Sequence, residues 1–354
     1  MAALQAGLST LLEYLSAHVL TCLIPAFFIA GAIAALLKTE MVLKYFGADA
    51  PKWLCYSVAA TSGTILAVCS CTILPMFAGI EKKGAGIGPA TAFLFSGPAI
   101  NLLAIVLTAR VLGLDLGIAR AVAAVSMAVI IGLIMAAIFE RGRKKCEIPP
   151  GNASVQSAQA EPQGGQTERI SVLFIALLIG VLLSATSKLE FSIKWTIVAA
   201  FIAASAFVLT RYFSSEEKSA FFGETWSLTK KIFPLLVVGT FITGIIGYFM
   251  PTELLRTALG SNSFISCFTA SIIGALLYMP TLLEVPIVGT LFGYSTGITA
   301  AGPALSLLLA GPSLSLPSMI VITRIIGLKK GGVYITLVVI VSTLVGMIYG
   351  AIVS

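Results

Sequence analysis

Long apolar runs separated by short polar segments make up most of this 354-residue chain. The runs lie at 11–37, 53–80, 87–109, 115–139, 170–187, 191–213, 231–250, 264–290, 297–326 and 333–353. A helix needs about twenty apolar residues to cross the hydrocarbon core of a bilayer. Hydrophobic residues form 58% of the chain and charged residues 10%, with a mean hydropathy of +1.03, more than a soluble core requires. The pattern therefore predicts an all-α polytopic membrane protein.

One long polar tract, 140–169, interrupts the pattern. Its basic start and its Pro-, Gly-, Gln- and Ser-rich continuation predict a flexible cytoplasmic linker. We therefore predict a first transmembrane repeat at 1–139, this linker, linking transmembrane helices at 170–230 and a second transmembrane repeat at 231–354. The start of the sequence has no basic region and no small-residue cleavage site, so we expect no signal peptide and a multi-pass protein of the cell (inner) membrane.

Helix-breaking residues recur in the same order in both halves of the chain. The pairs related by an offset of 214 residues are Gly88-Pro89 with Gly302-Pro303, Gly97-Pro98 with Gly311-Pro312, and Arg110 with Arg324. Such a series is hard to obtain by chance, and it predicts an internal duplication.

Two topologies fit this duplication. If every apolar run crosses the membrane, there are 10 spans, the repeats are parallel, and the 22 Lys and Arg divide evenly between the two sides. If 87–109 and 297–326 are instead re-entrant or broken-helix hairpins, about 8 spanning helices remain and the repeats are inverted, with both termini outside. The second model places 15 of the 22 basic residues on the linker side. The positive-inside rule favours it.

Two cysteines stand beside a helix breaker in the apolar segment Cys69-Ser70-Cys71-Thr72-Ile73-Leu74-Pro75. On a regular helix their side chains would point about 200° apart. Pro75 disrupts the helix around Cys71, so the two sulfurs could converge. Thiolates select soft ligands such as Cu(I), Zn or trivalent arsenic. The alternative interpretation is two small buried hydrophobic side chains.

Polar groups at the other breaks complete the candidate site. Glu284 lies between two prolines in an apolar segment, where a carboxylate usually marks an ion or proton pathway, so we predict a coupling role for it. The alternative is a residue near the surface that caps local backbone. Helix N-termini exposed at a break suit a polar or anionic substrate. The predicted substrate-binding residues are Cys69, Cys71, Thr72, Gly97, Pro98, Asn101, Gly311, Pro312 and Ser315.

These segments resemble the predicted permeases that include the ArsP-like organoarsenical exporters. The resemblance rests on Cys-Ser-Cys-Thr-Ile-Leu-Pro, on Ser-Gly-Pro-Ala-Ile-Asn and on Met-Pro-Thr-Leu-Leu-Glu-Val-Pro, which together span most of the chain outside the linker. It implies an exporter of trivalent, thiol-reactive arsenicals in which Cys69 and Cys71 are the thiol ligands. The family's substrates are diverse, so the resemblance identifies the family better than the substrate.

We therefore predict a secondary-active permease that works by alternating access around a central site at broken helices. The alternatives are a transporter of a transition metal (Cu or Zn) or a sulfur oxyanion, and a membrane thiol redox enzyme that cycles a Cys69–Cys71 disulfide. The redox alternative requires a strained bridge. We expect no enzymatic activity, no cofactor, no bound metal and no nucleic-acid partner. The expected partners are a small-molecule or ion substrate and the lipid bilayer, and a homodimer stays open.

Overall fold

The computed structural model describes residues 2–16, 23–36, 56–59, 70–140, 164–186, 191–249, 258–277, 279 and 284–353. Helices account for nearly all of this part of the chain, and it contains no strand. In chain order, the first seven helices are α1 (Ala2–Tyr14), α2 (Ile24–Leu36), α3 (Ser70–Lys82), α4 (Ile87–Ala99), α5 (Leu102–Val111), α6 (Leu114–Phe139) and α7 (Gly164–Thr186). The remaining helices are α8 (Phe191–Tyr212), α9 (Ser215–Phe249), α10 (Phe264–Leu276), the single turn α11 (Glu284–Pro286) continuing into a π-helical turn (Ile287–Leu291), α12 (Ala301–Ser313), α13 (Leu316–Ile326) and α14 (Leu328–Val353).

The predicted all-α polytopic membrane class is confirmed. Within the described part of the chain, four helices are long and apolar enough to cross a membrane: Leu114–Phe139, Ser192–Tyr212, Ser215–Ile245 and Leu328–Val353. Two bent pairs, α4–α5 (44°) and α12–α13 (52°), raise the number of spans to as many as six. Shorter apolar helices lie at Ile24–Leu36, Ile170–Ala185 and Phe264–Leu276. The count of about eight spans stays a prediction.

The predicted boundaries differ from those of the helices. Helix α7 begins at Gly164, inside the predicted linker of 140–169, and residues 141–163 lie outside the described part of the chain. Helix α9 runs without a break through the predicted boundary at 230/231. It packs lengthwise against α1 and α2, since Gly31 approaches Thr225 and Gly244 approaches Gly7. By sequence, α9 is also the second-half equivalent of α1 and α2, since Phe28-Ile29-Ala30-Gly31 matches Phe241-Ile242-Thr243-Gly244 at an offset of 213 residues.

Each bent pair runs along one long neighbouring helix from end to end. The Gly88 amide, at the start of α4, donates to the Glu140 carboxylate beyond the end of α6 over 3.4 Å. At the other end, Arg120 near the start of α6 donates to Thr108 near the end of α5. The α4–α5 pair thus runs antiparallel to α6 over its length. It is a helix broken in its middle, and the chain reversal predicted at 87–109 does not occur there.

The second bent pair repeats this arrangement. A Cβ added to Gly302, at the start of α12, would lie 2.7 Å from the Gly346 carbonyl oxygen near the end of α14. A Cβ added to Gly331, near the start of α14, would lie 2.9 Å from the Thr323 Cα near the end of α13. The chain reversal predicted at 297–326 is therefore also wrong.

Chain reversals occur instead in the preceding apolar runs. Asn262, just before α10, donates to the Gly350 carbonyl oxygen and accepts from the Gly302 amide. After Glu284 the chain is back at this end of the bundle, because Gly289 lies against Leu112, just before the start of α6, and the Ala300 amide donates to the Leu259 carbonyl oxygen over 3.0 Å. The segment from 264 to 291 thus enters and leaves at the same end. We call this end, with Asp115, Tyr294 and Tyr349, the far end.

The first half has the corresponding segment at the opposite end of the bundle. Tyr56 lies against Gly88 and Gly132, next to Glu140, and α3 ends at Lys82, a few residues before Gly88. We call this the linker end, because Glu140 directly precedes the predicted linker. Arms of 13 residues extend about 20 Å, which is too short for a hydrocarbon core of about 30 Å. Hydropathy alone predicts 53–80 and 264–290 as spans because it does not register at which end of the bundle an apolar run begins and finishes.

The closest helix contacts in the interior of the bundle are formed by small residues, while aromatic side chains such as Phe93 and Phe95 fill other parts of the core. Ala92 packs against Gly132 in the first half and Ser306 packs against Gly346 in the second, and both residue pairs are related by the offset of 214. Apolar side chains such as Ile202 and Phe207 of α8 remain exposed, as expected for a surface in contact with lipid. The described fold therefore combines close helix contacts at small residues with an apolar exterior.

Candidate functional site

A buried ion pair joins the two halves of the protein. Arg120 Nη2 on α6 donates to Glu284 Oε2 on α11 over 3.2 Å, and both side chains are 0% exposed. Arg120 Nη1 also donates to Thr108 Oγ1 on α5 over 2.9 Å. A charged side chain is costly to bury without a partner, so Arg120 and Glu284 each stabilise the other in the interior.

This ion pair lies beside the break between α12 and α13. A Cβ added to Gly311, in the last turn of α12, would lie 3.5 Å from Glu284 Oε1 and 3.4 Å from Met279 Cε. Beyond Gly311 the backbone at Leu314 and Ser315 is extended before α13 begins. The predicted coupling residue and the predicted break in the second half therefore meet in one place.

Three buried polar side-chain atoms have no hydrogen-bond partner among the described residues. They are Glu284 Oε1, Arg120 Nε and the Tyr334 hydroxyl. Such atoms cost free energy unless they serve a ligand, a proton or water. Arg120 and Tyr334 are related by the offset of 214, and each lies in the second turn of its helix, α6 or α14. The two halves thus place a polar side chain at equivalent positions.

The polar residues at the two breaks form hydrogen bonds with backbone groups. Asn101 Oδ1 accepts from the Ala104 amide, and Ser315 Oγ accepts from the Ser318 amide, so each caps the helix that follows its break. Ser96 and Ser313 donate to carbonyl oxygens, of Ala59 and Phe93 and of Leu309 respectively. Both hydroxyls therefore bond to backbone carbonyl oxygens next to the breaks.

The remaining predicted site residues divide into those that are described and those that are not. Gly97, Pro98 and Pro312 are buried in the last turns of α4 and α12, and helices α4 and α12 pack against each other. Thr72 is buried in the first turn of α3. Cys69 and the side chain of Cys71 lie outside the described residues. That these residues bind substrate stays a prediction.

Arg120 is the residue that the sequence reasoning missed. The positive-inside count treats it as a flanking charge on the outer side, yet its side chain is fully buried. The available signal is its position in the sequence, since it is the one basic residue inside the apolar run 115–139. Its partner lies 164 residues away in the chain, and no local pattern indicates that pairing.

No group of three or more His, Cys, Asp or Glu side chains that could hold a metal ion lies among the residues the structure describes. Within this part of the chain, the transition-metal alternative has no ligand cluster to support it. It depends on Cys69 and Cys71, which are soft ligands by chemistry.

A bundle of apolar helices with a charged pair buried at a helix break is typical of multi-pass membrane transporters. The chain belongs to a family of predicted permeases, ArsP_1, whose model matches residues 5–351. It is similar to the UPF0718 protein MJ0584 of Methanocaldococcus jannaschii, with 42% identity over 98% of this chain and 95% of that protein. It is also similar to the UPF0718 protein YraQ of Escherichia coli K12, with 23% identity over 73% of this chain and 56% of that protein. No solved structure matches.

Proposed function

We propose that this transporter is a secondary-active permease of the cell (inner) membrane that exports a small thiophilic solute, such as a trivalent organoarsenical. The observation that supports it most is the Arg120–Glu284 pair, buried beside the broken helix at Gly311. Interrupted backbone and charge at membrane depth are tolerated where they line a pathway. Cys69 and Cys71 would hold the arsenic, because thiolates are its preferred ligands.

We further propose that the two halves form an inverted repeat. Helix α6 begins at the far end and finishes at Glu140, whereas α14 begins just after Arg324 and finishes at the far end, where Asn262 donates to the Gly350 carbonyl oxygen. Arg324 and Lys82 line one pocket, which supports placing Arg324 at the linker end. Arg110, its equivalent by sequence, precedes Asp115 of the far end. Equivalent helices therefore run in opposite directions, as alternating access between pseudo-symmetric halves requires.

The linker end would be cytoplasmic. The sequence-based count places Lys82 and Lys83 outside, but Lys82 pairs with Glu224 and lines a pocket with Lys230 and Lys231. Moving Lys82 and Lys83 to the linker end changes the predicted distribution of the 22 basic residues from 15 against 7 to 17 against 5. The corrected distribution fits the positive-inside rule better.

Glu284 would couple transport to protons. A proton bound by Glu284 removes its negative charge and ends the ion pair, which leaves Arg120 buried without its counter-charge. The protein would then favour an arrangement in which Arg120 is hydrated or pairs elsewhere. Exchange of a proton for substrate at this site would drive the switch between the two access states.

The test is uptake of trivalent methylarsenical into inside-out vesicles. Cys69→Ser and Cys71→Ser should each reduce uptake at least tenfold. Cys267→Ala is the matched control, because Cys267 is a buried free cysteine packed near Gly302, away from the ion pair. If the two serine variants took up as much substrate as Cys267→Ala, Cys69 and Cys71 would have no role in transport. Glu284→Gln should retain substrate exchange at equilibrium but lose accumulation driven by a pH gradient.

Export of a sulfur oxyanion is a second candidate. Its support is Arg120 Nε, a buried donor with no partner among the described residues. Thermal stabilisation of the purified protein by sulfite or thiosulfate, together with no stabilisation by trivalent methylarsenical, would favour this candidate over the first.

A further inference from the structure

A pocket of about 620 Å³ opens at the linker end between α3, α9 and α13. Its charged lining residues are Glu81, Lys82, Lys230, Lys231 and Arg324. Its other walls are mainly apolar and come from the same three helices. The pocket is therefore amphipathic, with cationic side chains beside a surface that suits hydrocarbon.

Three of the cations have no counter-ion among the residues that the structure describes. Lys82 forms an ion pair with Glu224, whereas Lys230, Lys231 and Arg324 form no ion pair or hydrogen bond among the described residues. Glu81 supplies one negative charge against these three. The pocket thus keeps an uncompensated positive charge, which indicates an anionic ligand.

The position of the pocket argues for a ligand from the membrane. Lys230 and Lys231 directly precede the apolar part of α9, and Arg324 lies in the last turn of α13. They lie where helices reach the headgroup layer at the end that we propose to be cytoplasmic. The apolar wall, which includes Leu235 and Ile325, is suited to an acyl chain. Basic pockets between helices on this side are suited to anionic lipid headgroups.

We propose that this pocket binds an anionic phospholipid, with its phosphodiester against Arg324, Lys230 and Lys231. Arginine provides the planar fork of donors that matches phosphate oxygens, and the two lysines add charge. The lipid would lie against α3, α9 and α13, where helices of the two halves meet. This site is distinct from the one at Glu284.

The test measures binding of phosphatidylglycerol to the purified full-length protein by native mass spectrometry, in competition with phosphatidylcholine of the same chain length. The pocket variant is Lys230→Gln/Lys231→Gln/Arg324→Gln. The control variant, Arg211→Gln/Lys329→Gln/Lys330→Gln, removes the same charge from residues that do not line the pocket. The pocket variant should lose binding at least tenfold and the control less than twofold. Equal losses would mean non-specific attraction and would overturn the proposal.

Two further ligands separate a lipid from a soluble anion. Glycerophosphoglycerol has the headgroup without acyl chains, and inorganic phosphate has the anion alone. Phosphatidylglycerol should raise the melting temperature of the wild-type protein, while both soluble compounds at equal concentration should have little effect. Equal stabilisation by inorganic phosphate would assign the pocket to a soluble anion. If the triple variant does not fold, Arg324→Lys provides the test, because it keeps the charge and should weaken binding by loss of the fork alone.

Discussion

Arg120 and Glu284 lie 164 residues apart in the chain, yet the guanidinium of one donates to the carboxylate of the other over 3.2 Å in the interior of the bundle. Arg120 belongs to the first half and Glu284 to the second. The pair therefore connects the two halves at a place where a charge without a partner would be costly. A change in either partner acts on folding and on the relation between the halves.

The first prediction concerns the energy of this pair. Arg120→Met or Glu284→Leu alone should destabilise the protein by about 3–5 kcal/mol, because each leaves one buried charge without its partner. The double variant should recover much of that loss, because it leaves no uncompensated charge. Chemical unfolding in detergent, arranged as a double-mutant cycle, measures the coupling. Additive losses would show that the two side chains do not interact.

The second prediction concerns close helix packing. In Gly346→Ala the added methyl group would overlap Ser306 and lie 2.6 Å from the Gly302 carbonyl oxygen, so we expect a loss of about 1–3 kcal/mol from overpacking. Gly332→Ala on the same helix meets no atom within 4 Å and should be neutral or stabilising by up to about 1 kcal/mol. Thermal unfolding in one detergent compares them. A greater loss for the Gly332 variant would contradict the packing described.

The third prediction concerns the direction of the repeats. Single cysteines at positions 82 and 324 should be labelled by a membrane-impermeant maleimide from the linker side of the membrane. A cysteine at position 110 should be labelled from the opposite side. The background for all three is a variant without native cysteines. Labelling of positions 110 and 324 from one side would favour the parallel topology instead.

The fourth prediction concerns Tyr334. Its buried hydroxyl has no partner among the described residues, so Tyr334→Phe should leave the free energy of unfolding unchanged or raise it by about 1 kcal/mol. The matched substitution Tyr349→Phe, at a partly exposed position, should change it little. Equilibrium unfolding measures both. A loss above 1 kcal/mol in Tyr334→Phe would indicate a hydrogen bond that the described contacts do not include.

Sequence reasoning found the breaks but not the path of the chain through them. Gly97-Pro98 and Gly311-Pro312 do lie in the last turns before the interruptions, because proline and glycine weaken a helix locally. Whether the chain then continues or reverses depends on contacts with other helices, such as that of Gly88 with Glu140. These long-range contacts leave no signal in local composition.

Only part of the candidate site could be predicted, again because some of its contacts come from distant parts of the chain. Glu284 is visible in the sequence because a carboxylate between two prolines in an apolar run is rare. Arg120 lies only five residues after the charged Asp115, so in the sequence it resembles a residue at a membrane surface. Its burial depends on Thr108 and Glu284, which the fold brings to it from elsewhere in the chain. A search for basic residues inside apolar runs would have found it.

The ion pair also makes the two sides of the molecule unequal. At the offset of 214 Tyr334 corresponds to Arg120, and at an offset of 211 Glu284 corresponds to Ile73, so these equivalent positions hold a phenol and an aliphatic side chain instead of two opposite charges. Halves that matched fully would give outward-open and inward-open forms of equal energy. In the alternating access that we propose, a single ion pair in only one of the two equivalent places would give the empty carrier a preferred resting form, and protonation of Glu284 would change that preference.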